Sequence, residues 1–191
     1  MAIFSNDALR GKHALITGAT GGIGQETAIR LVSMGASVTL TGRNEEKLNR
    51  LRHDILQMYP SATVHAVSAD ITKPEAQKAL VAEAERHNGP ISLLVNNAGT
   101  FRHTLVEDLT EQALSEMMDI NFTSAVFLTQ QIYLGMKERR EGAIVNVSSL
   151  AGLRGLYGYT AYAASKAALI SFTHCLALEA IKYNVRVNAV C

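Results

Sequence analysis

Tyr162 and Lys166 stand four residues apart in Tyr162-Ala163-Ala164-Ser165-Lys166. On a helix, that spacing puts both side chains on one face. An ammonium beside a phenol favours the phenolate, which suits proton exchange with an alcohol or ketone oxygen near neutral pH. Ser149 precedes Tyr162 by 13 residues, and its hydroxyl is placed to bond the same oxygen. Ser148 competes for that role, and the 13-residue spacing favours Ser149. Taken alone, the Tyr-Lys pair reads more simply as a half-buried tyrosine next to a surface lysine.

A second constellation is Thr17-Gly18-Ala19-Thr20-Gly21-Gly22-Ile23-Gly24. It follows a short apolar run and opens a helical stretch. Glycines there let the backbone turn tightly and approach a pyrophosphate, which the helix N-terminus then holds with free N–H groups. The spacing is neither the G-x-G-x-x-G fingerprint nor a P-loop, so a plain glycine-rich turn stays open. The second strand ends in Thr41-Gly42-Arg43-Asn44. A carboxylate for a ribose 2′-hydroxyl is absent, and Arg43 offers a guanidinium to a 2′-phosphate instead. This favours NADP over NAD, the other reading of Arg43 being a solvated surface cation. Asn44 either assists or caps the next helix.

The elements that would position these residues alternate along the chain. Apolar runs at His13–Thr17, 37–41, 63–67, 91–95, 143–147 and 185–191 predict strands. Helical spacing over 25–34, Glu45–Met58, about 110–139 and about 160–182 predicts the helices between them. Thr72 is a predicted N-cap, with Pro74 in the first turn and Glu75 placed for a capping box. Apolar rather than alternating strands are buried on both faces. That implies an α/β, doubly wound parallel sheet, Rossmann-type, with ligands at the carboxyl ends of the strands.

At 191 residues the chain reads as a single domain, 1–191. Lys and Arg total 18 against 17 Asp and Glu, and the net charge of +1 excludes a nucleic-acid binder working by bulk charge. No apolar stretch reads as a membrane span, and residues 1–10 carry no signal-peptide pattern. Cys175 and Cys191 form no C-x-x-C pair and read as reduced thiols, so a cytoplasmic protein is expected. The six histidines are scattered without an H-x-x-x-H pair. No metal is expected, since no residues stand at ligand spacing.

Thr17–Gly24, Asn96-Asn97-Ala98-Gly99 after the fourth strand, Ser149 and Tyr162-x-x-x-Lys166 occur in order at the right elements. Together they resemble the short-chain dehydrogenase/reductase family, from about residue 12 to 191. The resemblance implies that Tyr162 is general acid in reduction and base in oxidation. It also implies that Lys166 bonds the nicotinamide ribose, that Ser149 holds the substrate oxygen, and that Asn121 supports a water in a proton relay. It assigns Gly18, Gly22, Ile23 and Gly24 to the pyrophosphate, with Thr20 in the same loop, and Asp70 and Ile71 to the adenine. Asn97, Ala98 and Gly99 then steady the sheet and pass the adenine ribose.

The implied activity is reversible reduction of a ketone to a secondary alcohol, with NADP(H) preferred and NAD(H) open. Within the family, Arg43 and the compact start are similar to bacterial 3-oxoacyl-(acyl-carrier-protein) reductases of fatty acid biosynthesis. The substrate would be a small-molecule or acyl-thioester carbonyl compound. The family also suggests a homotetramer that pairs the helices at 110–139 and 160–182. Relatives continue beyond residue 191, so the C-terminal part of the family fold is expected to be missing. The alternatives are an NADP(H)-binding relative without turnover and a sugar or polyol dehydrogenase.

Overall fold

A computed structural model describes residues 5–191. Residues 1–4, part of the N-terminal segment read above, lie outside the described residues. Six parallel strands carry the fold: β1 (His13–Thr17), β2 (Ser37–Gly42), β3 (Val64–Ser68), β4 (Leu93–Asn96), β5 (Gly142–Val147) and β6 (Val185–Val190). They stand in the order β3-β2-β1-β4-β5-β6. The helices are α1 (Gly22–Ser33), α2 (Glu45–Met58), α3 (Pro74–Asn88), α4 (Glu111–Met118), α5 (Ser124–Arg139) and α6 (Thr160–Ala180).

Successive side chains of a strand point to opposite faces, and β1 divides its residues accordingly. Ala14 and Ile16 pack with Ala28 and Val32 of α1 and with Leu48, Leu51 and Ile55 of α2. Leu15 faces the other way, into a core with Leu80 of α3, Leu128 and Ile132 of α5 and Leu176 of α6. All five residues of β1 are buried, as a strand covered by helices on both faces requires. The edge strands differ. β6 alternates, with Val185 and Val187 buried and Arg186 and Asn188 exposed, and β3 is only half covered.

Polar groups also cross the sheet. Asn96 of β4 donates through Nδ2 to Thr129 Oγ1 on α5 and to Asn146 Oδ1 on β5, both at 2.8 Å. Asn146 in turn donates to Thr173 Oγ1 on α6, also at 2.8 Å. All four side chains are buried.

Several boundaries depart from expectation. α1 starts at Gly22, not at residue 25, so the last glycines of the loop form its first turn. Lys73, not Thr72, caps α3. Thr72 instead gives its backbone N–H and its hydroxyl to Asp70 Oδ1, at 3.0 and 2.7 Å. The helix expected over 110–139 is split by a π-helical turn, Asp119–Thr123, between α4 and α5. The residues from Thr160 to Tyr183 are long and apolar enough to cross a membrane, contrary to the sequence reading. They form a core helix: α6 buries Lys166, Leu169, Thr173 and Leu176 against the protein.

Candidate active site

β1 pairs with β2 on one side and with β4 on the other. The chain leaving β1 and the chain leaving β4 therefore open a crevice at the carboxyl end of the sheet. Thr17 ties the two exits together. Its Oγ1 accepts the backbone N–H groups of Asn97 and Ala98, each at 3.0 Å. Asn97 Nδ2 donates back to the carbonyls of Thr17 and Gly18 at 3.1 and 3.0 Å.

The crevice is a cleft of about 400 Å³. The loop after β1 lines it with Gly18, Thr20, Gly22 and Ile23, and the end of β2 adds Arg43. Asp70 and Ile71 line it beyond β3, and Asn97, Ala98 and Gly99 beyond β4. Gly21, Thr41, Gly42, Ala69, Thr72 and Ile120 share the wall and were not assigned to a ligand from the sequence. Gly24 lies behind the loop. A Cβ there would stand 2.5 Å from the Gly18 carbonyl oxygen, so this glycine serves close packing of helix on loop. Gly18 has φ +61°, and a Cβ on it would come within 2.8 Å of Ala98 Cα.

The floor of the cleft is suited to an anion. α1 begins at Gly21 with no side-chain cap and no acidic residue in its first turn. Its N–H groups and the positive end of its dipole are left for a ligand. A Cβ on Gly22 would meet nothing within 4 Å, so the space beside this backbone is open. Arg43 is exposed at the rim. Asn44 is the cap of α2, accepting from Lys47 N at 2.8 Å. The Thr72 hydroxyl, more than any nearby cation, holds the Asp70 carboxyl below its usual range. These residues fit a dinucleotide: glycines where its phosphates need room, an uncapped helix end, and a cation at the rim.

Lys166 and Asn121 lie next to this cleft. A Cβ on Gly99 would stand 3.2 Å from Asn121 Oδ1 and 3.5 Å from Lys166 Nζ. Asn121 is buried in the π turn, which explains why a single long helix was misread there. Its Oδ1 accepts from Thr100 N at 2.7 Å, and its Nδ2 donates to Thr100 O and Ser165 Oγ, each at 3.0 Å. Lys166 is buried, and its ammonium donates to the Val147 carbonyl at the end of β5 at 2.8 Å. Burial pushes its pKa down. The same Nζ lies 5.8 Å from the centroid of the Tyr162 ring.

Ser148 is occupied, donating to the Lys166 carbonyl at 2.9 Å. Ser149 caps a short 3₁₀ turn, where its Oγ accepts from Ala151 N at 3.2 Å, so its hydroxyl proton is free for another acceptor. Phe101, not singled out from the sequence, packs edge-on to Tyr162 with centroids 5.2 Å apart, and lies 4.5 Å from Tyr159. Tyr157 is exposed and covers no core. The apolar run on Phe101 and Tyr159 makes one wall beside the Tyr162 ring.

Residues 12–191 match the short chain dehydrogenase family. A mouse 3-ketodihydrosphingosine reductase is 38% identical over 184 residues, 95% of this chain and 55% of its own length. This chain thus spans about half of that relative. A 3-oxoacyl-(acyl-carrier-protein) reductase from Vibrio cholerae is 35% identical, over 95% of this chain and 72% of its own. The crystal structure of a short chain dehydrogenase from Mycobacterium smegmatis superposes with a TM-score of 0.92 at 34% identity, over 99% of this chain and 79% of that one. A xylitol dehydrogenase bound to NAD⁺ matches at TM-score 0.90 and 34% identity, over 95% of this chain and 69% of its own. An actinorhodin polyketide ketoreductase with NADPH matches at 0.91 and 33%, over 99% and 71%.

Proposed function

The chain belongs to the short-chain dehydrogenase/reductase family, and we propose that it is an NADP(H)-dependent reductase of a 3-oxoacyl compound, reversible as an alcohol dehydrogenase. One observation carries the reading. The buried Lys166 ammonium is pinned to the Val147 carbonyl, beside Gly99 of the cleft and over the Tyr162 ring. A cation fixed there sets a positive charge beside the phenol that exchanges the proton. Tyr162 then gives its proton to the carbonyl oxygen during reduction and takes it back during oxidation. The Ser149 hydroxyl, whose proton is uncommitted, donates to the same oxygen and holds it in place. Asn121 holds Ser165, the neighbour of Lys166, from the π turn, where its carboxamide is fixed by Thr100 on both sides.

The dinucleotide supplies or accepts hydride when bound. Gly18, Thr20, Gly22 and Ile23 would hold its pyrophosphate, Asp70 and Ile71 its adenine, and Asn97 to Gly99 its ribose. The exposed Arg43 guanidinium would pair with a 2′-phosphate, and this supports NADP(H) as the preferred form. Two relatives named above as reductases of 3-keto and 3-oxoacyl compounds support the substrate class. The aromatic wall of Phe101 and Tyr159 suits an acyl chain in preference to a polyol. Phe127 and Leu134 are exposed on α5, Leu178 on α6 and Ile181 just past its end. They support pairing of these helices in a homotetramer, which light scattering tests.

The test of the catalytic reading is turnover of NADPH with a 3-oxoacyl thioester, beside titrations with NADPH and NADH. The chain has no Trp, so its own fluorescence interferes little. Tyr162→Phe should abolish turnover and leave NADPH binding in place. Turnover that survives this substitution overturns the mechanism. Binding without turnover in the unsubstituted protein favours a cofactor-binding protein instead.

A further inference from the structure

On the side of the sheet covered by α3, away from the cleft, three donors converge. His65 projects from β3, and Glu83 and His87 stand one helical turn apart on α3. Their ligand atoms all lie within 4.8 Å of one another. We propose that His65, Glu83 and His87 bind one divalent transition-metal ion of the zinc class.

The distances suit such an ion. His65 Nε2 is 3.4 Å from Glu83 Oε1, and His87 Nε2 is 3.0 Å from the same oxygen. Ligands of a tetrahedral zinc, with bonds of about 2.0–2.2 Å, stand roughly 3.3–3.5 Å from each other. Two imidazoles and a carboxylate are a ligand set zinc accepts, and nitrogen donors disfavour magnesium and calcium. His65 Nε2 is buried and aimed at this cluster, with Glu83 Oε1 at 3.4 Å and no closer polar partner.

Two adjustments are required, and both fall on exposed side chains. The His65 and His87 rings stack at 3.8 Å with planes 25° apart, so His87 must turn to aim its Nε2 at a shared ion. Arg86 holds the place at present. Its Nη2 donates to Glu83 Oε1 and Oε2 at 2.7 and 2.9 Å and lies 2.9 Å from His87 Nε2. A cation is thus already drawn to this position, and a metal would displace the guanidinium. None of the three ligands lines the cleft. The ion would clamp the edge strand β3 onto α3 and take no part in hydride transfer. A fourth position is left to water.

Calorimetric titration of the chelator-stripped protein with Zn²⁺ tests this, with Co²⁺ as a spectroscopic probe. One equivalent should bind, raise the melting temperature and give the visible bands of tetrahedral Co²⁺. His87→Ala, at an exposed position of α3, and Glu83→Gln, at a half-buried one, should each weaken this binding by at least ~10-fold without unfolding the protein. His65→Gln should do the same. Arg86→Ala should bind Zn²⁺ as tightly or more tightly. Zn²⁺ affinity that is unchanged by His87→Ala and Glu83→Gln, or lowered by Arg86→Ala, overturns the proposal.

Discussion

The first two helices start on either side of β2 and solve the same problem in opposite ways. Each leaves orphan N–H groups at its N-terminus. α2 satisfies them from its own sequence: Asn44 accepts from Lys47 N, and Glu45 and Glu46 put negative charge in the first turn. α1 has glycine at the cap, no side-chain acceptor and no acid. A helix end completed by its own residues serves stability. One left incomplete at the floor of a cleft serves a ligand that brings the missing charge.

Substitutions can break this contrast. The largest effect is expected at Gly18, whose φ of +61° and 2.8 Å approach to Ala98 admit no side chain. Gly18→Val should cost about 3 kcal/mol of stability and abolish cofactor binding, read by chemical denaturation and NADPH titration. Gly22→Asp comes next, because it gives α1 the acid that α2 has. The helix should gain about 0.3–1 kcal/mol, while NADPH affinity falls roughly 100-fold through charge repulsion. A variant that gains stability and still binds NADPH normally would show that the anion does not lie at this helix end.

Arg43→Ala should lower NADPH affinity roughly 10-fold and leave NADH affinity unchanged, since one exposed charge-assisted pair is lost. Equal losses for both cofactors would remove Arg43 from the 2′-phosphate. Asn44→Ala is the smallest. It should cost about 1 kcal/mol of stability with no change in cofactor affinity, the mirror image of the glycine substitution at α1.

Legibility in the sequence followed locality. The α2 boundaries, Glu45–Met58, follow from a local cap and a local apolar period, and the structure has them unchanged. The glycine loop was legible because tight turns need glycine at fixed places. Asn121 was read inside a continuous helix. A π turn adds one residue to a helical circuit and shifts the apolar period by a single position, a slip hard to see in one sequence. Thr72 looked like a cap, but its hydroxyl is turned back to Asp70 and the helix starts one residue later, an arrangement that depends on where β3 ends. Ser148 and Ser149 were adjacent candidates, and only the packing of α6 against β5 shows that Ser148 is spent on Lys166. His65, Glu83 and His87 were invisible as a group because β3 and α3 meet only in the folded chain. Phe101 was passed over for the same reason: its partners, Tyr159 and Tyr162, lie far along the sequence.

The hydrogen-bonded run from Thr129 through Asn96 and Asn146 to Thr173 has a consequence for how the protein comes apart. Each link joins a different element, and opening any one strands a polar group in hydrocarbon. α5, β4, β5 and α6 should therefore open together, as one cooperative block whose amides exchange with solvent at a common slow rate. Tyr162 and Lys166 ride on that block, and Asn97 ties the glycine loop to it through the Thr17 and Gly18 carbonyls. The grip on the cofactor and the pair that moves the proton should then be lost together, in one opening event.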